Sequence, residues 1–147
     1  MSQVEQFTAG RKADELIATE VAVQDRMWGD ANERADSTDN QLIAAAAAQV
    51  SAIWAALTMP DEPGGREGAF EVAKENYYPK DWDGFRDYGS NVANLVVAAA
   101  FIRSEIKRRI LLGEDTTRAK RGEAYTTAKP YVSSEEALAE TGPINGG

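Results

Sequence analysis

Apolar residues recur at helical spacing in four stretches of the chain, and polar or glycine- and proline-bearing segments separate them. In the first, Asp14 to Trp28, Ile17, Val21 and Trp28 share a face with Leu16 beside them, and Gly29 offers a C-cap that carries no Cβ. A polar, aperiodic loop follows from Asp30 to Asp36. Ser37 to Asn40 can cap a second helix that runs through Leu42, Ile43, five alanines, Gln49, Val50, Ile53 and Trp54 to Leu57. Nearly every face of it is apolar and many side chains are small. It is therefore predicted to be buried on most sides and to form the centre of the core.

Pro60 and Pro63-Gly64-Gly65 end that helix. Arg66 to Asn76 predicts a short third helix with Glu67, Glu71 and Glu75 along one face, which is read as a solvated face. Tyr77-Tyr78-Pro79 breaks it, because the residue before a proline is pushed out of the α region. Asp81-Trp82-Asp83-Gly84-Phe85 is an aromatic turn expected to pack on the core. The fourth helix is predicted from Ser90 to Gly113, with Val92, Leu95, Val96, Ala99, Ile102, Ile106 and Ile110 as a long apolar stripe, and with Glu105 paired to Arg109 on its outer face. No segment alternates convincingly with period two, so essentially no sheet is expected. The fold class is all-α: a four-helix core over residues 1–113, then a polar C-terminal tail over 114–147. That tail is too poor in apolar residues to fold alone, and Ser133-Ser134-Glu135-Glu136 could cap a short helix within it. The tail is expected to grip a neighbouring subunit, with Tyr125, Tyr131 and Ile144 as anchors.

Composition removes most catalytic chemistry. The chain holds no cysteine and no histidine, which excludes thiolate nucleophiles, disulfides, zinc-thiolate sites and any triad with a histidine base. Carboxylates, amides, hydroxyls, Lys, Arg and Tyr remain, a set suited to hard cations, to binding or to structure. With 24 acidic against 16 basic residues the net charge is −8, so duplex nucleic acid is not an expected partner. The cluster Arg103, Lys107, Arg108 and Arg109 is read as cations offsetting a helix dipole. The start of the chain lacks a signal-peptide pattern, and the apolar run Leu42 to Ala48 is too short to span a bilayer. The expected location is a cytoplasm, or a particle assembled in one, with no membrane partner.

Gln49, set among alanines, needs hydrogen-bond partners across the core, for which Asn91, Asn94 and Gln24 are the candidates. The aromatic residues Trp28, Trp54, Trp82, Phe85, Tyr77, Tyr78 and Tyr88 suit core packing or stacking on a base, and Arg86 or Arg103 could reach a phosphate. Gly64-Gly65 lacks the lysine and hydroxyl of a phosphate-binding loop.

The segment Val23-Gln24-Asp25-Arg26-Met27-Trp28-Gly29 resembles phage proteins related to MazG, which belong to the all-α nucleoside triphosphate pyrophosphohydrolases. In many of these a helix ends in a similar Gln-Asp-x-x-Trp-Gly, followed by a polar loop and a buried helix. The likeness spans Glu15 to Arg109. It implies two facing helices that carry Glu-x-x-Glu and Glu-x-x-Asp around Mg²⁺, which clamps the triphosphate and activates water. Here the matching positions hold Ala45, Ala46 and Gln49 on the second helix and Asn91 and Asn94 on the fourth. Amides hold Mg²⁺ poorly and cannot act as a general base.

The resemblance therefore implies a domain that binds a nucleotide or nucleotide-derived ligand without hydrolysis and without a metal. Gln24, Gln49, Asn91 and Asn94 would read polar groups, Trp28 would stack on the base and Arg103 would reach the phosphate. Two alternatives stand beside this reading. One is a structural protein of a phage particle. The other is a Mg²⁺-dependent hydrolase using Glu20, Asp25, Glu71 or Glu75. A homo-oligomer is expected under either non-enzymatic reading.

Overall fold

The computed structural model describes residues 1–29, 40–61, 63–119 and 128–129, with backbone alone at Trp28 and at the four strand residues. The fold is all-α: α1 is Gln3–Trp28, α2 Gln41–Thr58, α3 Gly65–Tyr77 and α4 Asn91–Leu111. The chain divides into two compact units, Met1–Leu112 and Gly113–Gly147.

α1 begins well before Asp14, where the apolar periodicity starts. Ser2 caps it by accepting the Glu5 amide at 3.0 Å, and every residue from Gln3 to Glu15 is exposed. Such a stretch carries no buried stripe to be recognised by. It is helical through its cap, good helix formers and local pairs, among them Arg11–Glu15 at 4.0 Å and the Arg11 guanidinium over Phe7. Further along, Leu16 and Ile17 are half-buried and Val21 and Gln24 are buried, where α1 packs on α4.

α2 packs on both α3 and α4. Leu42, Ala45, Ala46 and Ala48 lie against Val97 and Phe101 of α4 and against Tyr78, while Ala52 lies against Phe70 and Ala73 of α3. The methyl side chains let these helices approach closely. Burial is one-sided, however: Ile43, Val50, Trp54 and Leu57 remain exposed, contrary to the expectation of a helix covered on most sides. By length and composition alone α2 could cross a membrane, yet seven of its residues are buried within this fold, as in a core helix. At its start Asn40 takes a left-handed conformation, φ 53°, and makes no side-chain cap. Its Oδ1 instead accepts from Arg109 at 3.3 Å. Ser37, Thr38 and Asp39, the other expected cap residues, lie outside the described residues.

α3 buries Phe70 and Ala73 and exposes Glu67, Glu71 and Glu75. Tyr78, extended at ψ 140° before Pro79, ends it and turns inward. Between α3 and α4 the connection packs as a lid of rings. Tyr78 stacks obliquely on Phe85 at 5.0 Å and meets Trp82 edge-on at 6.2 Å, and Trp82 reaches Phe101 at 6.2 Å. The Tyr78 hydroxyl donates to the Asp83 carbonyl at 2.9 Å, so the ring is buried without stranding its polar end.

α4 is capped by Ser90, whose hydroxyl accepts the Ala93 amide at 3.0 Å. Its polarity is opposite to the expectation. The buried face carries Asn94, Val97, Ala98, Phe101, Ser104, Glu105 and Arg108, and the stripe Val92, Leu95, Ile102, Ile106 and Ile110 is exposed. Glu105 is inside rather than on the outer face. Arg108 holds it at 2.7 and 3.0 Å and Arg109 at 2.8 Å. Periodicity identifies an apolar face without identifying what covers it. Here the aromatic lid and the α2 alanines select the opposite face.

In the second unit Arg118–Ala119 pairs antiparallel with Ala128–Lys129, in register Arg118↔Lys129, a two-residue ladder that agrees with the expectation of essentially no sheet. The anchors Tyr125, Tyr131 and Ile144, and the capped segment at Ser133 to Glu136, lie outside the described residues.

Candidate functional site

Gln49 in the middle of α2 faces Asn94 in the first turn of α4, and both are sealed from solvent. The Gln49 amide nitrogen donates to Asn94 Oδ1 at 2.7 Å and to the Arg86 carbonyl at 3.0 Å. Asn94 Oδ1 also accepts the Tyr88 backbone amide at 3.0 Å, and its Nδ2 donates to Asp87 Oδ1 at 3.0 Å and to the Ser90 carbonyl at 2.9 Å. An asparagine side chain offers two donors and an oxygen with two lone pairs. All four capacities are used within the protein.

The network continues outward through Asp87. Arg66 on α3 grips it through Nε and, at 3.1 Å, through Nη2, and the Gly89 amide donates to it at 3.0 Å. The Arg66 guanidinium, then Asn94 and Gly89, hold the Asp87 carboxyl well below the usual carboxylate range. Asn91 enters through Arg66, whose Nη1 donates to Asn91 Oδ1 at 3.0 Å. Asp87 and Arg66 were not singled out from the sequence. The available signal was the Asp-Tyr-Gly-Ser-Asn turn that opens α4, where an acid two residues before a glycine suits a local backbone bond.

These groups fasten the aromatic lid to α2, α3 and α4. They do not suit Mg²⁺: Ala45 and Ala46 present buried methyls, Gln49 and Asn94 bond each other, and Asp87 is neutralised by Arg66. Among the described residues no three His, Cys, Asp or Glu side chains converge. Glu71 and Glu75 sit on the exposed face of α3, and Asp25 is half-buried on α1.

A second polar group lies where α1 meets α4. Gln24 is 3% exposed, and its Nε2 donates to the Val97 carbonyl at a long 3.4 Å. Its Oε1 is buried and meets no donor among the described residues. One turn earlier, burial pushes the Glu20 carboxyl upward, partly offset by the Gln24 side chain. Burial likewise raises the Tyr88 hydroxyl; the nearby Arg86 charge opposes this and the Glu20 charge adds to it. The Arg86 guanidinium lies 5.4 Å over the Tyr88 ring, and the Tyr88 hydroxyl donates to the Gly84 carbonyl at 3.3 Å. Glu20 and Gln24 thus sit together on α1, the Glu20 charge is felt at the Tyr88 hydroxyl, and Tyr88 pairs with Arg86.

The remaining candidates are elsewhere. Arg103 follows Asn94 by about two and a half helical turns, which puts it on the opposite, exposed face of α4. Trp28 closes α1, and its side chain is outside the described residues. Compared with known proteins, the chain matches no family model, no curated protein and no solved structure.

Proposed function

We propose that the protein is a non-catalytic, MazG-like helical domain, phage-encoded, that binds a nucleotide or nucleotide-derived ligand without hydrolysing it. The ligand is recognised on the α1 side of α4. The observation that carries this reading is the buried Gln24 Oε1 with no donor among the described residues. A buried acceptor left unmet costs about 1–3 kcal/mol, so such an atom is kept where something supplies the donor. The amino and ring N–H groups on a nucleobase edge fit Gln24 and the partly desolvated Glu20 carboxylate together. The Tyr88 ring and the Arg86 guanidinium offer a stacking surface and a cation for phosphate. Gln49 and Asn94, first expected to read the ligand, serve the fold in this account. A structural role in a particle is the second reading, favoured by the apolar faces that α2 and α4 turn outward.

The test is thermal unfolding against a panel of nucleoside mono-, di- and triphosphates and cyclic nucleotides, with and without Mg²⁺. A ligand at about a hundred times its Kd stabilises by about 2.7 kcal/mol, which for a chain of this size raises Tm by several degrees. The rise is expected to be independent of Mg²⁺ and absent in Gln24→Leu. No shift with any nucleotide would refute the ligand reading and leave the structural one.

A further inference from the structure

Gln24 is buried where α1 meets α4, and its two amide ends fare differently. Nε2 donates to the Val97 carbonyl, whereas Oε1 meets no donor among the described residues. Glu20 lies one turn earlier on the same face of α1, half-buried and within bonding reach of the Gln24 side chain. An ionised carboxylate only accepts, so it can use the Gln24 nitrogen but leaves Oε1 unmet. A protonated carboxyl carries an O–H, the type of group that Oε1 lacks.

We propose that Glu20 and Gln24 form a proton-operated latch: on taking up a proton from solvent, the Glu20 carboxyl donates it in a hydrogen bond to Gln24 Oε1 and closes that acceptor. Neutral Glu20 completes the bonding of Gln24, and ionised Glu20 reopens Oε1. The groups around Glu20 leave it to titrate alone. On α1, the positions three and four away hold Leu16, Ile17, Val23 and Gln24, and the acids Glu15 and Asp25, five away, are turned off that face by about 140°. α4, the helix packed on α1, carries no charged residue from Asn91 to Ile102. From the connection before α4, Tyr88 feels the Glu20 charge, and its hydroxyl, pushed up from its ordinary value, stays neutral in acid. Arg86 over the Tyr88 ring keeps its charge, and Asp87 stays ionised against Arg66. Burial favours neutral Glu20, the same direction as the latch. One consequence rests on the ligand reading: a ligand held by Gln24 Oε1 and ionised Glu20 excludes the proton, so its affinity falls about tenfold for each pH unit below the Glu20 midpoint.

The experiment follows the side-chain Cδ resonances of Glu20 and Gln24 by carbon-13 NMR in the full chain, without nucleotide, from about pH 3 to 8. The expected result is a Glu20 midpoint above the value of about 4.3 for an unperturbed glutamate, with Gln24 Cδ moving at the same midpoint as its carbonyl gains a hydrogen bond. Glu20→Gln presents a permanent N–H donor, so it should hold Gln24 Cδ near its acid-end position at every pH. Asp25→Asn, off that face, should leave both curves in place. Three outcomes would overturn the proposal: a Gln24 resonance that stays flat across the Glu20 midpoint, one that still titrates in Glu20→Gln, or a Glu20 midpoint at or below the ordinary value. No nucleotide takes part, so a chain that binds none leaves the latch standing, and a failed latch leaves the ligand reading to its own test.

Discussion

Gln49 donates to Asn94 at 2.7 Å, joining the middle of one core helix to the first turn of another. Asn94 passes the connection to Tyr88, Asp87 and Ser90, so a single buried amide sets both the start of α4 and the seat of the aromatic lid. Asn94→Ala is expected to strand the Gln49 donor and the Tyr88 amide, destabilising the fold by about 2–4 kcal/mol. Gln49→Met should cost a similar amount, and the double variant clearly less than the sum. Urea unfolding followed by circular dichroism measures all three. Simple additivity would mean that the two amides act separately.

A further buried polar group is the carboxylate of Glu105, held by Arg108 and Arg109. Arg108 is buried beside it, whereas the Arg109 side chain is 38% exposed. Glu105→Gln removes the charge facing a desolvated guanidinium and is expected to cost about 3 kcal/mol, while Arg109→Ala costs under about 1 kcal/mol. Equal losses from the two would contradict a buried role for Glu105.

Two carboxyls make opposite contributions to pH dependence. Asp87 is held below its unfolded value of about 3.9 by Arg66, so its stabilisation is complete above about pH 5 and fades as pH falls through its folded value. Asp87→Asn should lower Tm at pH 7, and the deficit should shrink below about pH 4. Glu20 is raised by burial, so its carboxylate costs stability once pH rises past its folded value. Glu20→Gln should raise Tm at pH 7 and change little below about pH 4. Melting curves from pH 3 to 8 check both signs.

Gly64 precedes α3 at φ 87°, and a Cβ there would lie 3.1 Å from the Gly68 backbone. Gly64→Ala is therefore expected to cost about 1–2 kcal/mol, and Gly10→Ala, in open space on α1, to be neutral or stabilising. Denaturant midpoints would separate them.

Helix number and order are legible in the sequence because Gly29, Pro60, Pro63 and Pro79 punctuate strong periodic runs. The cross-core need of Gln49 is legible too, since an amide among alanines must find a partner. Two features are not. The N-terminal half of α1 has no buried stripe, so only propensity and the Ser2 cap mark it. The burial of α4 is inverted because an apolar stripe looks the same whether it meets the protomer's own core or another surface. Of the candidate site, Gln24 carries a polar group with unmet bonding capacity, which depends on what α4 places against it. Arg103 sits on the wrong face by helical phase, a relation visible only once the inner face is known.

The most direct measurement follows the side-chain amide resonances of Gln24, Gln49 and Asn94 by nitrogen-15 NMR during titration with nucleotides. The account predicts that Gln24 shifts on saturation, that Gln49 and Asn94 stay in place, and that Mg²⁺ alone moves none of them. Shifts at Gln49 and Asn94 with Gln24 silent, or pyrophosphate released during the titration, would contradict it.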